Sequence, residues 1–193
     1  MLSKSLPFLR SWCRDPVAVG LPLASSPWTA RRLAQAALDA AIPGGGPVLE
    51  LGAGTGPVTD ALIQAGCPLD QLIVVERDAD LCRTLGQRFR GLQVIQGDAL
   101  EIGDMLAGMQ VSSVAVVLSG LPMRVVAPDA AARYYAGAFQ LMPPGGTIIQ
   151  YTYGFRSPVE LNGAPLKLDA HFVGREWRNL PPMGIWSYRE KRS

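Results

Sequence analysis

The chain has 193 residues, with 18 Lys and Arg against 16 Asp and Glu, for a formal net charge of +2. That length suits one α/β domain able to bury a full core without disulfides or metals. Cys13, Cys67 and Cys82 make an odd count without C-x-x-C spacing, so neither a disulfide framework nor a zinc site is indicated, a reducing compartment is the default, and each cysteine reads as a small apolar residue.

Residues 1–28 form a first unit. Leu2, Leu6, Leu9 and Trp12 or Cys13 recur at helical spacing, while Lys4, Arg10 and Arg14 lie off that stripe. Pro7 is tolerated if the helix begins about there. This is a short basic amphipathic segment, suited either to a membrane surface or to packing on the core. Its charges interrupt any apolar run long enough for a signal peptide.

Residues 29–193 alternate helical and strand patterns. Thr29–Ile42 is rich in Ala and Leu and stops at Pro43 and three glycines, which predicts a helix. Short apolar runs at Val48–Leu51, Leu72–Val75, Leu92–Ile95, Val114–Leu118 and Thr147–Tyr151 suit strands buried on both faces of a parallel sheet. Helical stretches lie between them, near Val58–Ala65, Ala79–Phe89, Leu100–Met105 and Ala130–Leu141. This order predicts a Rossmann-like, doubly wound α/β fold with a mainly parallel sheet. Two later pieces, around Ala170–Glu176 and Gly184–Tyr188, predict a C-terminal antiparallel hairpin. The most apolar stretch, Val111 to Leu121, is far short of the roughly 20 residues that a membrane span needs, so a protein that is soluble or lies on a membrane surface is expected.

Charge is uneven along the chain. Residues 1–35 carry a net +4 and residues 171–193 a net +3, whereas 36–170 carry −5. Basic ends on an acidic body suit contact with a nucleic acid or an anionic membrane; solvated tails are the alternative, and charge alone favours them.

The chemistry centres on Glu50-Leu51-Gly52-Ala53-Gly54-Thr55-Gly56, placed where a buried strand turns into a helix. Glycines there let the backbone approach a ligand closely, at the sheet edge where α/β folds bind ligands. A dinucleotide fingerprint, G-x-G-x-x-G/A, would place a small residue at Pro57, so that reading fails. Glu50 is a carboxylate that can receive the ammonium of a methionine moiety. Glu76, closing the second strand, can accept ribose hydroxyls, and Asp98, in Gly97-Asp98-Ala99, can accept the amine of adenine. Acids at the ends of three successive strands point to S-adenosylmethionine.

After the fourth strand comes Ser119-Gly120-Leu121-Pro122-Met123. Backbone carbonyls in such a turn can orient a substrate amine towards a methyl group; a plain strand-closing turn explains the stretch equally well. Arg77, Tyr151, Tyr153 and Phe155 sit near strand ends and are candidates to line the pocket. The single histidine, His171, falls in the late hairpin and reads as structural.

Through Glu50–Gly56, Glu76 and Asp98 the sequence resembles the class I S-adenosylmethionine-dependent methyltransferases. It resembles more narrowly the bacterial phospholipid N-methyltransferases of the soluble, phosphatidylethanolamine-methylating type. The stretches concerned are Phe8-Leu9-Arg10-Ser11-Trp12, Arg14-Asp15-Pro16, Ser25-Ser26, Ser119-Gly120-Leu121-Pro122, Thr152-Tyr153-Gly154 and Trp177-Arg178-Asn179-Leu180-Pro181-Pro182. The resemblance implies successive methylation of phosphatidylethanolamine towards phosphatidylcholine, without a metal, by an enzyme held at the inner face of the membrane. It implies that Glu50, Gly52, Gly54, Thr55, Gly56, Glu76, Arg77, Asp98, Ala99 and Ser119 hold the cofactor. Leu121 and Pro122 would position the amine, and Tyr153 and Arg178 would meet the substrate. Lys4, Phe8, Leu9, Arg10, Trp12 and Arg14 would dock on anionic phospholipid. The alternative is the related rRNA adenine dimethylase group, which carries N-L-P-[YF] after the fourth strand. Gly120 and Met123 stand here at the Asn and aromatic positions, so nucleic acid is the less favoured partner.

Overall fold

The structure is a computed structural model, and it describes residues 26–107, 111–153, 157, 167–179 and 182–191. The predicted membrane residues Lys4, Phe8, Leu9, Arg10, Trp12 and Arg14, and the predicted pocket residue Phe155, lie outside the described residues.

Helix α1 spans Pro27–Ala40. Ser26 caps it, its hydroxyl accepting from the Thr29 N–H at 3.2 Å, and Pro27 fills the first turn, where a missing N–H costs nothing. The helix stops two residues before the predicted Ile42. The residue before a proline is pushed out of the helical region, and the chain leaves it at Ala41 with ψ 130°.

Five strands follow in the predicted order: β1 Val48–Leu51, β2 Leu72–Glu76, β3 Gln93–Gln96, β4 Val116–Ser119 and β5 Ile148–Tyr153. Between them lie α2 Pro57–Gln64, α3 Ala79–Arg88, α4 Ile102–Ala107 and α5 Pro128–Gln140, with a short 3-10 turn at Ala99–Glu101 leading into α4. Strands β6 Leu168–Glu176 and β7 Met183–Glu190 form the antiparallel hairpin. The seven-stranded sheet runs β3-β2-β1-β4-β5-β7-β6, with β7 antiparallel to β5 and the first five strands parallel.

Side chains alternate across the sheet as strand geometry dictates. Val48, Val74, Val116 and Leu118 pack under α1, α2 and α3. Leu49, Leu51, Ile73, Val75 and Val117 pack on the other face against α5 and the α4 region, with Tyr134 and Tyr135 fully buried there. Glu50 falls on the first face by the same alternation. A carboxyl group is therefore driven into the core beneath α2.

Strand order reverses between β1 and β4. This is the switch point at whose carboxyl edge α/β sheets leave a crevice for ligands. Leu51 pairs with Ser119 at the last register position, so the glycine turn and the 119–123 turn emerge side by side. Among the described residues no helix is long and apolar enough to cross a membrane. Cys67 and Cys82 are free thiols, and Cys67 is buried, as expected of a small apolar residue.

Candidate functional site

Gly52, Gly54 and Gly56 all adopt positive φ, at 74°, 59° and 80°. Their roles differ. A Cβ on Gly56 would stand 2.7 Å from Leu85 Cδ2 and 2.9 Å from Phe89 Cε2, so this glycine lets α2 close on α3. A Cβ on Gly54 would meet nothing within 4 Å. That glycine faces open space at the crevice, where bare backbone can lie against a ligand. Arg88 fastens the far side of the turn, donating to the Thr55 carbonyl at 3.1 Å and pairing with Asp60 at 2.6 Å.

Glu76 shapes the turn directly. Its Oε2 accepts the Gly54 N–H at 2.8 Å, and its Oε1 accepts the N–H groups of Arg77 and Asp78 at 2.8 and 3.0 Å. The carboxylate is 8% exposed. It links the end of β2 to the middle of the glycine turn, so it fixes the site as well as facing it. The Arg77 side chain is exposed, and its backbone N–H joins the cradle.

Glu50 is 2% exposed, and its Oε2 accepts from the Thr59 hydroxyl at 2.7 Å. Burial pushes its carboxyl up to about 7, against the Thr59 hydrogen bond that lowers it, and the negative charge of Glu76 adds to the rise. Asp98 caps the 3-10 turn, accepting the Leu100 N–H at 3.0 Å through Oδ1, and Ala99 beside it is buried. Glu50, Glu76 and Asp98 thus stand at the ends of β1, β2 and β3, and Glu76 is the one that bonds the Gly54 turn directly. A cationic ligand relieves the repulsion between Glu50 and Glu76, whereas a pyrophosphate would aggravate it. The donor set fits S-adenosylmethionine, which carries positive charge and polar ribose and adenine groups.

The turn after β4 closes the crevice. A Cβ on Gly52 would stand 3.4 Å from Leu121 Cδ2, so the two turns are in direct contact. Ser119 is fully buried. Here the structure corrects the reading of Leu121. Its carbonyl already accepts from Gln150 Nε2 at 2.9 Å and from the Met123 N–H at 2.8 Å. Both lone pairs are engaged, and an amine gains no acceptor there. The Pro122 carbonyl accepts one N–H, from Val125 at 3.0 Å, which leaves a lone pair for a substrate. Gln150 is fully buried, and its Oε1 has no hydrogen-bond partner among the described residues.

Two contributors, Thr59 and Gln150, escaped the sequence reading. Thr59 gave one signal, a polar residue on the buried face of the helix after the glycine turn. Gln150 looked like one more polar residue in a strand, and nothing in its surroundings announced its reach to Leu121. Tyr151, a pocket candidate in the sequence, has its hydroxyl 2.6 Å from where a Cβ on Gly120 would be. Among the described residues no group of three or more His, Cys, Asp and Glu is placed to hold a metal. His171 is exposed on β6, the outermost strand and four positions from β1. Tyr153 ends β5. Arg178 is exposed after β6, its guanidinium 4.5 Å from the Trp28 ring centre rather than among the cofactor acids.

The whole arrangement aligns with an O-methyltransferase of Bacillus cereus, solved in complex with SAH, at a TM-score of 0.63 and 13% identity over 100% of this chain and 92% of that one. The chain has the class I S-adenosylmethionine-dependent methyltransferase fold. In sequence, the chain is 28% identical over 190 residues to an ornithine lipid N-methyltransferase of Singulisphaera acidiphila, covering 94% of each. A second likeness is local. It is 44% identity over 61 residues to a probable ribosomal RNA small subunit methyltransferase A of Haloquadratum walsbyi, covering 28% of this chain and 20% of that protein. No family model matches the sequence.

Proposed function

We propose that this methyltransferase moves the methyl group of S-adenosylmethionine to the amine of a membrane lipid headgroup. Phosphatidylethanolamine and its mono- and dimethyl forms are the substrates, and the product series leads to phosphatidylcholine. S-adenosylmethionine is the cofactor and supplies an electrophilic methyl group. Glu76 and Glu50 hold its cradle acidic, Gly54 keeps the cradle open, and the 119–123 turn offers the acceptor side of the crevice.

One observation carries the choice of an alkylamine. The turn after β4 presents neither an amide nor a ring to the crevice: Gly120 has no side chain and Met123 is 4% exposed, within the core. A flipped base needs a stacking surface there. A flexible amine needs only backbone acceptors and an apolar wall, which Pro122 and Leu121 supply. The end-to-end likeness to a lipid N-methyltransferase supports the same reading. The likeness to a probable rRNA methyltransferase covers 28% of this chain, against 94% for the lipid enzyme.

Positioning is the chief chemical task of the chain. A primary ammonium titrates near ~10, as Lys does, so the amine loses its proton before attack. The Pro122 carbonyl orients the N–H that remains, and water takes the proton. Residues 1–28, with their basic amphipathic pattern, hold the enzyme at the inner face of the membrane.

The deciding experiment offers the purified full chain labelled cofactor with three acceptors: phosphatidylethanolamine vesicles, ornithine lipid vesicles and RNA. Label in phosphatidylethanolamine supports the full reading. Label in ornithine lipid alone keeps lipid N-methylation and replaces the headgroup. Label in RNA alone overturns the proposal.

A further inference from the structure

Five large apolar side chains are exposed among the described residues, and four of them are Trp28 at 48%, Phe172 at 42%, Val173 at 39% and Trp177 at 67%. They come from the first turn of α1, from β6 and from the turn after it. We propose that this tryptophan–arginine face docks the folded domain on an anionic phospholipid surface, independently of residues 1–25.

The face is built rather than incidental. Asn179, 3% exposed, accepts from the Ser26 N–H at 2.9 Å and the Thr29 hydroxyl at 3.0 Å, tying the start of α1 to the β6–β7 turn. Arg32 adds a second tie, donating to the Arg175 carbonyl at 2.6 Å. Each aromatic ring carries a guanidinium. Arg178 lies 4.5 Å and Arg31 5.5 Å from the Trp28 ring centre, and Arg175 lies 5.7 Å from Phe172 and 5.5 Å from Trp177. Rings and cations are thus held in place before any partner arrives, which lowers the ordering cost of binding.

The composition selects the partner. Tryptophan favours the boundary between headgroups and acyl chains, and arginine buries its stem while its head meets phosphate. Among the described residues the first turns of α1 bring Arg31 and Arg32 and the β6–β7 turn brings Arg178, beside Glu176, which accepts the Arg178 backbone N–H and lies 4.0 Å from Arg32. The surplus is positive and complements anionic lipid. Nucleic acid also takes arginine and stacked rings. Here, though, guanidinium groups already lie over the rings, and exposed Val173 adds aliphatic surface that a bilayer rewards and a base does not.

Placement fits a lipid acceptor, and this step rests on the function proposed above. Tyr153 pairs with Met183, and Met183 with Glu176, so the β6–β7 turn lies at the carboxyl edge that also carries the crevice. From β1 to β6 is four strand spacings, or about 19 Å. Docking through this face brings the crevice down to the headgroup layer.

The test uses the full chain and sucrose-loaded vesicles of phosphatidylcholine, with or without phosphatidylglycerol. Trp28→Ala with Trp177→Ala, and Arg31→Glu with Arg178→Glu, are expected to lower partitioning to the anionic vesicles roughly tenfold or more, with circular dichroism unchanged. Lipid brominated in the acyl chain should quench tryptophan emission less in Trp177→Phe than in the parent. Unchanged partitioning and quenching overturn the proposal. So does a Trp177 that brominated lipid never quenches, which is the outcome if residues 1–25 or a second copy cover the face. Loss of RNA binding with intact vesicle binding overturns it too. Labelled-cofactor assays run alongside separate the two readings. Docking lost in the variants while no lipid is ever methylated sinks the substrate and keeps the face. Methylated lipid with variants that bind like the parent does the reverse.

Discussion

Thr59 donates its hydroxyl hydrogen to Glu50 Oε2 at 2.7 Å across the seam between α2 and β1, where Glu50 is 2% exposed. One hydrogen bond offsets only part of the cost of burying a carboxylate, and Glu50 titrates at about 7 instead of 4.5. A folded-state value above the unfolded one favours the fold fully below the unfolded value, and the benefit is lost as pH rises through the folded value. Stability should therefore fall from about pH 5 to pH 8, by about 3 kcal/mol from this group if the full shift is expressed. Glu50→Gln should be nearly neutral at pH 5 and stabilising at pH 8. Urea unfolding of both proteins at the two pH values checks this, and a difference independent of pH would contradict it.

The same carboxyl couples to the cofactor. A cation beside Glu50 favours the ionised form, so binding pulls its titration downwards and expels a proton wherever the unliganded group still holds one. S-adenosylmethionine binding at pH 6.5 should release a substantial fraction of a proton, and at pH 8.5 close to none. Calorimetry in buffers of different ionisation heat reads the release directly. Glu50→Gln should abolish it at both pH values.

Gly54 and Gly56 separate binding from folding. Both hold positive φ, which costs a residue with a Cβ roughly 1–2 kcal/mol, but only at Gly56 would the new atom strike Leu85 and Phe89. Gly56→Ala should unfold several degrees below the parent in thermal melts. Gly54→Ala should keep most of its stability and lose cofactor affinity by tenfold or more in calorimetry, because its Cβ enters the open space of the crevice. Equal effects of the two changes on affinity would contradict these roles.

Much of the fold was legible because its signals are local. Buried runs such as Leu72–Val75 can be little other than strands between helical stretches, and the acids at positions 50, 76 and 98 stand at strand ends that the pattern locates. What the sequence withheld depends on contacts between elements. The role of Glu76 as acceptor of the Gly54 N–H spans 22 residues, and the saturation of the Leu121 carbonyl depends on a glutamine 29 residues away. Asn179 belonged to a stretch noted for its family resemblance, yet its work at Ser26 and Thr29 appears only once α1 and β6 lie together. Pairings at that range are set by topology, and no spacing rule along the chain reveals them.

Gly120 sits where the acceptor side of the crevice meets the cofactor side. A Cβ there would stand 2.6 Å from the Tyr151 hydroxyl, 2.9 Å from the Gly52 carbonyl oxygen and 3.2 Å from that of Leu51. The first neighbour is the tip of a side chain and can be removed; the other two are backbone and cannot. Gly120→Ala should therefore both destabilise the protein, by about 1–3 kcal/mol for overpacking, and weaken cofactor binding by displacing the glycine turn. Adding Tyr151→Phe should recover part of the stability and little of the affinity. The coupling between the two positions, read from denaturant unfolding of the single and double variants, should be about 0.5 kcal/mol or more. Strict additivity would mean that the hydroxyl is not what keeps this position a glycine. Gly120→Asn, which restores the amide of the rRNA-type motif, should meet the same obstruction and gain no activity on RNA, because Met123 still offers no ring against which a base can stack.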